Sequence, residues 1–234
     1  LQTTVLDAIG EYFVPTFSLA VFAQLISLVI AVPMGILAAY KRGTSVDIIT
    51  VSISLLGIAI PGFLLSMFLM LFFGVHLKWL PVAGYVQLSR GLLEHLRYLL
   101  LPALSLGVVQ AAYITRMSRS AMLDVLYMNY IRTARAKGLR ESAVVLVYGL
   151  KNAGPTILTV AGQSFGSLVT GTIVTETLFN IPGLGMLTMT SITRRDVFVI
   201  QGVVLFVTLI YVLVNLAVDI LYGFVDPRIQ LGNK

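Results

Sequence analysis

The chain has 234 residues, 58% of them hydrophobic and only 11% charged, with a mean hydropathy of +0.95 and a net charge of +6. A soluble domain keeps roughly a quarter of its residues charged, so there are too few charges here to cover a water-facing surface, and the bilayer is the solvent. The lack of cysteine excludes disulfides, thiolate metal sites and cysteine nucleophiles; two histidines, His76 and His95, fall short of a metal site; and the basic balance reads as membrane orientation, with no nucleic-acid partner.

In chain order, residues 1–16 set Val5, Ile9 and Tyr12 at helical spacing and read as a short amphipathic helix at the outer interface, ended by Pro15. Five apolar runs follow, each long enough to cross about 30 Å of hydrocarbon at about 1.5 Å per residue. Helices are the default, because backbone groups cannot go unpaired in lipid. The runs cover 17–40, 47–75, 98–117, 144–175 and 198–224. The second carries Pro61-Gly62 mid-span, either a static kink or a hinge that widens a path. Gln110 in the third and Gln163 in the fourth either bond between helices or line a path. Gly162-Gln-Ser-Phe-Gly166 fits a nucleophile pattern, but it lies mid-span with both histidines elsewhere, and its Gly-x-x-x-Gly spacing points to helix packing. Glu176 ends the fourth run ahead of Pro182, Gly183 and Gly185, as a structural cap or pair, or as the border of an outer gate. Asn215 and Asp219 share a face of the fifth and read as packing residues, while Trp79, Tyr85 and Tyr98 form an outer aromatic belt.

Placing 41–46, 118–143 and the C-terminus on one side puts eleven of the Lys and Arg residues there (Arg116 and Lys151 at the adjoining span ends included) against five opposite, so that side is cytoplasmic. It contains Asn129-Tyr130-Ile131-Arg132-Thr133-Ala134-Arg135-Ala136-Lys137-Gly138-Leu139. Asn129 suits a helix N-cap and Gly138 a C′ position with φ > 0, enclosing about two turns of helix. Two turns are marginal alone, so the segment is either a solvated loop that enforces topology or a helix that docks on a cytoplasmic partner.

The run from Tyr130 to Leu139 resembles the cytoplasmic coupling motif of ABC importer permeases, in the form of the dipeptide, oligopeptide and nickel branch. Arg132, Thr133 and Ala134 stand where the general motif has Glu-Ala-Ala, followed by Gly138. Ala38 to Gly43, Leu80 to Tyr85, Leu101 to Leu104, Glu176 to Gly185 and Asp226 to Ile229 are similar to further family stretches, in family order. The resemblance implies an all-α, polytopic transmembrane bundle of the type I ABC importer permease kind. One membrane domain is expected over 17–228, with the coupling helix at 129–138 and a tail at 229–234. Branch members have six spans with both termini cytoplasmic, so the family's first span is expected to be missing ahead of Leu1.

The implied partners are a second homologous permease, two cytoplasmic ATPase subunits, an extracytoplasmic substrate-binding protein and the lipid bilayer of a bacterial or archaeal inner membrane. Residues 129–139 would seat in an ATPase groove, with Arg135 and Lys137 meeting it and Gly138 setting the angle. The chain has no Gly-Lys dipeptide and hence no P-loop, so it holds no cofactor itself; ATP and Mg belong to the ATPase partners. The alternative is a secondary transporter or channel without ATPases, which predicts internal repeats and midplane ionisable groups.

Overall fold

The computed structural model describes residues 4–225 as helices and connecting loops, with no strand among them. The helices are α1 (Val5–Tyr40), α2 (Ser45–Ala59), α3 (Gly62–Leu69), α4 (Leu92–Leu126), α5 (Asn129–Ala136), α6 (Glu141–Ala143), α7 (Leu150–Thr170), α8 (Ile173–Leu178), α9 (Leu184–Arg194) and α10 (Val197–Val225). π-helical turns at Met70–His76 and Val144–Gly149 extend α3 and join α6 to α7. Among the described residues four helices are long and apolar enough to cross a membrane, and a fifth crossing is counted if α2 and α3 make one broken span.

α1 and α4 are the central pair and share the most extensive contact of the bundle. Small residues let them approach closely: a Cβ on Gly35 would lie 2.7 Å from that of Ser118, and one on Gly107 would lie 2.9 Å from the Ala23 carbonyl oxygen. α7 packs across this pair and α10 packs on α7. The central core joins Leu19, Ala23, Leu99, Leu101, Leu168 and Phe179. A second core, at the end that the Lys and Arg balance assigns to the cytoplasm, joins Met122, Leu126, Ile131, Ala134 and Val144.

Several expected boundaries move. Residues 1–16 are not a separate interfacial helix as far as they are described: α1 runs unbroken from Val5 through Pro15 and Pro33. Ala8 and Ile9 are buried against Leu184, Leu187, Val199 and Val203, and that packing outweighs the hydrogen bond lost at Pro15. The expected span 47–75 is not one helix with a kink. It turns by 98° between α2 and α3, where Ile60 and Pro61 take extended backbone. Proline cannot donate there, and the residue before it is pushed out of the helical region. The third span is longer than 98–117, so Arg119 lies within α4 and not in a loop. The fourth ends at Thr170, because Gly171 and Thr172 break it before α8. The expected matches at 226–229 and the tail at 229–234 lie outside the described residues.

Candidate functional site

At the cytoplasmic end, α5 is a two-turn helix between α4 and α6. It anchors to its own chain through Ile131 and Ala134, which are buried in the cytoplasmic core. Asn129, Tyr130, Arg132, Thr133, Arg135, Ala136, Lys137, Gly138 and Leu139 are exposed. Asn129 is not the N-cap: Met128 holds that position in extended backbone, and Asn129 is the first helical residue, its carbonyl accepting from the Thr133 hydroxyl at 3.1 Å. Gly138 takes φ +76°, and a Cβ there would meet nothing within 4 Å. Its requirement is therefore backbone conformation, not space.

Arg135 turns back onto its own chain. Its Nη2 donates to Glu141 Oε1 at 2.7 Å, and the carboxylate holds the guanidinium above its ordinary pKa. Arg140 makes no capping bond to α6, which has Glu141 in its first turn. Between the turn after α1 and α5 lies a cavity of about 330 Å³, lined by Tyr40, Arg42, Tyr127, Arg132 and Arg135. The Arg42 guanidinium sits 5.2 Å from the Tyr127 ring centre. Above this cavity Asp47 is buried and receives Arg119 in a two-bond fork, at 2.6 and 2.8 Å, and the Gly43 amide at 3.0 Å. That fork ties the first turn of α2 to α4, and the Gly43 amide adds the turn after α1. Asp47 and Arg119 are 72 positions apart, and no local pattern pairs them.

At the outer end, Glu176 is fully enclosed and does not line an opening of this chain. Its Oε1 accepts from the Thr16 and Thr172 hydroxyls at 2.6 and 2.7 Å, and its Oε2 accepts from the Gly185 and Met186 amides at 2.8 and 3.1 Å. Those amides are the second and third of α9 and among its free donors, so the carboxylate caps that helix from another segment. The Thr16 hydroxyl also accepts from the Leu184 amide at 2.8 Å. Gly183 and Gly185 are buried, and a side chain on either would strike the Glu176 carboxylate, while Pro182 is exposed. Nearby, the Gly84 amide donates to the Phe179 carbonyl at 2.8 Å, and His95 Nδ1 lies 2.6 Å from the Val86 carbonyl. The outer loop is thereby held to the same knot.

Within the bundle, Gln110 Nε2 donates to Ser167 Oγ at 3.3 Å, and Gln163 is exposed on α7. Ser164 is buried and bonds Gln24 Oε1 at 3.3 Å, with Gln24 Nε2 donating to the Ala161 carbonyl at 3.2 Å. Gln24 is a cross-link between α1 and α7 that the sequence reading passed over. Gly162 meets Val218, and Gly166 lies under the Tyr211 ring, which together seat α10 on α7. Pro61 is exposed at the 98° break.

Residues 31–231 match the family described as binding-protein-dependent transport system inner membrane component. The chain is 40% identical over 226 residues to the probable peptide ABC transporter permease protein y4tP of Sinorhizobium fredii, covering 97% of this chain and 72% of the relative. It is 39% identical over 249 residues to the dipeptide transport system permease protein DppB of Escherichia coli, covering 95% and 74%. An inward-facing crystal form of the MetNI methionine ABC transporter superposes with a TM-score of 0.75 at 19% identity, covering 94% of this chain and 97% of that one. An amino acid ABC transporter crystallised with histidines superposes at 0.60 and 15% identity, covering 96% and 95%. The likeness to these structures shows the fold, and the sequence matches show the family: this chain belongs to the inner-membrane components of binding-protein-dependent transport systems.

Proposed function

We propose that the chain is one of two permease subunits of an ATP-driven importer of short peptides, and that α5 seats in a groove on a cytoplasmic ATPase subunit. The single observation that carries this reading is the two-sided character of α5. Ile131 and Ala134 fix it in the core shared with the end of α4 and the π-helical turn Val144–Gly149, and its other residues are exposed at the side rich in Lys and Arg. Relatives whose names specify peptides or dipeptides support the substrate class. A second permease, paired ATPases and an extracytoplasmic receptor complete the machine in this reading, and ATP with Mg²⁺ belongs to the ATPases. Closure of those subunits would move α5 as a rigid body and, through its buried anchors, the spans above it.

The test places bulk on the outward face. Ala136→Trp leaves Ile131 and Ala134 in place but obstructs seating. Membrane insertion is expected to persist while ATP-driven dipeptide uptake falls about tenfold or more, equivalent to about 1.4 kcal/mol of docking. Undiminished uptake with this variant, or failure of the chain to co-purify with any ATPase when expressed with its neighbouring genes, refutes the reading.

A further inference from the structure

Along α7, exposure and chemistry part company. Every exposed residue of this helix is polar: Lys151, Asn152, Thr156, Gln163, Ser167 and Thr170, with partly exposed Thr159 completing the row. From Asn152 the steps are 4, 3, 4, 4 and 3 residues, so the row keeps to one helix face. Its ends are separated by about 27 Å at 1.5 Å per residue, close to the thickness of the hydrocarbon layer. α1, by contrast, exposes Leu25, Val29, Ile30 and Leu37 across its span.

The row is only partly satisfied from within. Asn152 Nδ2 donates to the Tyr148 carbonyl at 2.7 Å, and the Thr159 and Thr170 hydroxyls donate to their own helix at 3.1 Å. Ser167 accepts from Gln110. Each of these groups keeps acceptor capacity facing outward. Thr156 and the Gln163 amide have no hydrogen-bond partner among the described residues. A primary amide turned to hydrocarbon with nothing to bond is strongly disfavoured, so lipid is the wrong neighbour for this face.

We infer that the exposed face of α7 lines the translocation path and that its uncharged ladder, from Thr170 through Ser167 and Gln163 to Asn152, takes the backbone amides of the transported peptide. The inference rests on the importer reading above. Side-chain amides and hydroxyls both donate and accept, which matches a peptide backbone whatever its side chains. No charge interrupts the ladder from Asn152 to Thr170, so it neither traps nor repels a charged side chain in passage. Water fills the same bonds when no solute is present.

The experiment uses the intact importer and exploits a chain without cysteine. Thr156→Cys, Gln163→Cys, Ser167→Cys and Thr170→Cys are made singly, with Leu25→Cys and Val29→Cys as lipid-facing controls. Each is treated with a positively charged, membrane-impermeant methanethiosulfonate. Reaction needs the thiolate, which forms in water, so the α7 positions are expected to react about tenfold faster than the controls or more, and dialanine during ATP turnover is expected to slow them. Ser167→Cys is nearly isosteric and Thr170→Cys only trims an exposed methyl, so the test survives if Gln163→Cys fails to assemble. Gln163→Leu is expected to lower dialanine uptake about fivefold to tenfold, the effect of one lost hydrogen bond, and Gln163→Asn to restore most of it. Control-like reaction at all four positions, in importers that still take up dialanine, overturns the proposal and assigns the face to a partner helix. Absent dialanine uptake in the importer carrying the unsubstituted chain counts instead against the peptide reading, since accessibility is measured apart from uptake.

Discussion

Asp47 and Glu176 are carboxylates buried near opposite ends of the bundle, and they are satisfied by opposite means. Asp47 at the cytoplasmic end is held by a guanidinium fork and one amide. Glu176 at the outer end is held by two hydroxyls and two helix-terminal amides, all neutral. The first arrangement concentrates dependence on one partner, whose loss leaves a buried charge uncompensated. The second distributes it, so that loss of any one donor leaves three. The cytoplasmic joint is thus brittle to single substitution, and the outer knot is tolerant.

Substitutions test that contrast in descending order of effect. Arg119→Ala is expected to destabilise by about 3 kcal/mol, the low end of the cost of breaking a buried pair from one side because the guanidinium is partly exposed, read as a loss of thermal stability in the detergent-solubilised importer. Pairing Arg119→Ala with Asp47→Ala should recover part of that loss, because both charges then leave together. Glu176→Gln keeps the shape but turns an acceptor into a donor facing amides, and about 1–3 kcal/mol should be lost. If it costs as much as Arg119→Ala, the contrast between the two joints is wrong. Thr172→Val removes one of four donors to Glu176, and a loss of about 1 kcal/mol is expected by the same measurement. Glu141→Gln opens the exposed pair with Arg135 and should change stability by less than about 1 kcal/mol, since solvent screens it. A larger effect on uptake than on stability would mean that Glu141 presets α5 for its partner.

The parts legible in the sequence are those written locally. Apolar runs located the long helices, and Gly138 declared its own left-handed turn. Pro15 misled for the converse reason: a local breaker was overruled by packing of Ala8 and Ile9 against α9 and α10, segments more than 170 positions away. Pro61 was recognised as a bend, but a 98° turn depends on where α2 and α3 find neighbours on α4, which no local pattern encodes. Glu176 stood out as a lone carboxylate before a Pro-Gly-x-Gly turn. Its burial became visible only once Thr16, 160 positions earlier, was placed beside it. The α7 row was present in the sequence as Asn152, Thr156, Gln163, Ser167 and Thr170, but apolar residues surround it there, and only burial separates the two sets.

The unbroken course of α1 past both prolines has a mechanical corollary. From Thr16, pinned in the outer knot, to Tyr40, which lines the cytoplasmic cavity, is a single rod about 36 Å long at 1.5 Å per residue. A tilt of about 5° about its pinned end displaces the far end by about 3 Å at that rise per residue. Such a lever needs no hinge in the membrane to translate a small swing at the cytoplasmic surface into a change of gap between spans, and its fulcrum is the threonine that Glu176 holds.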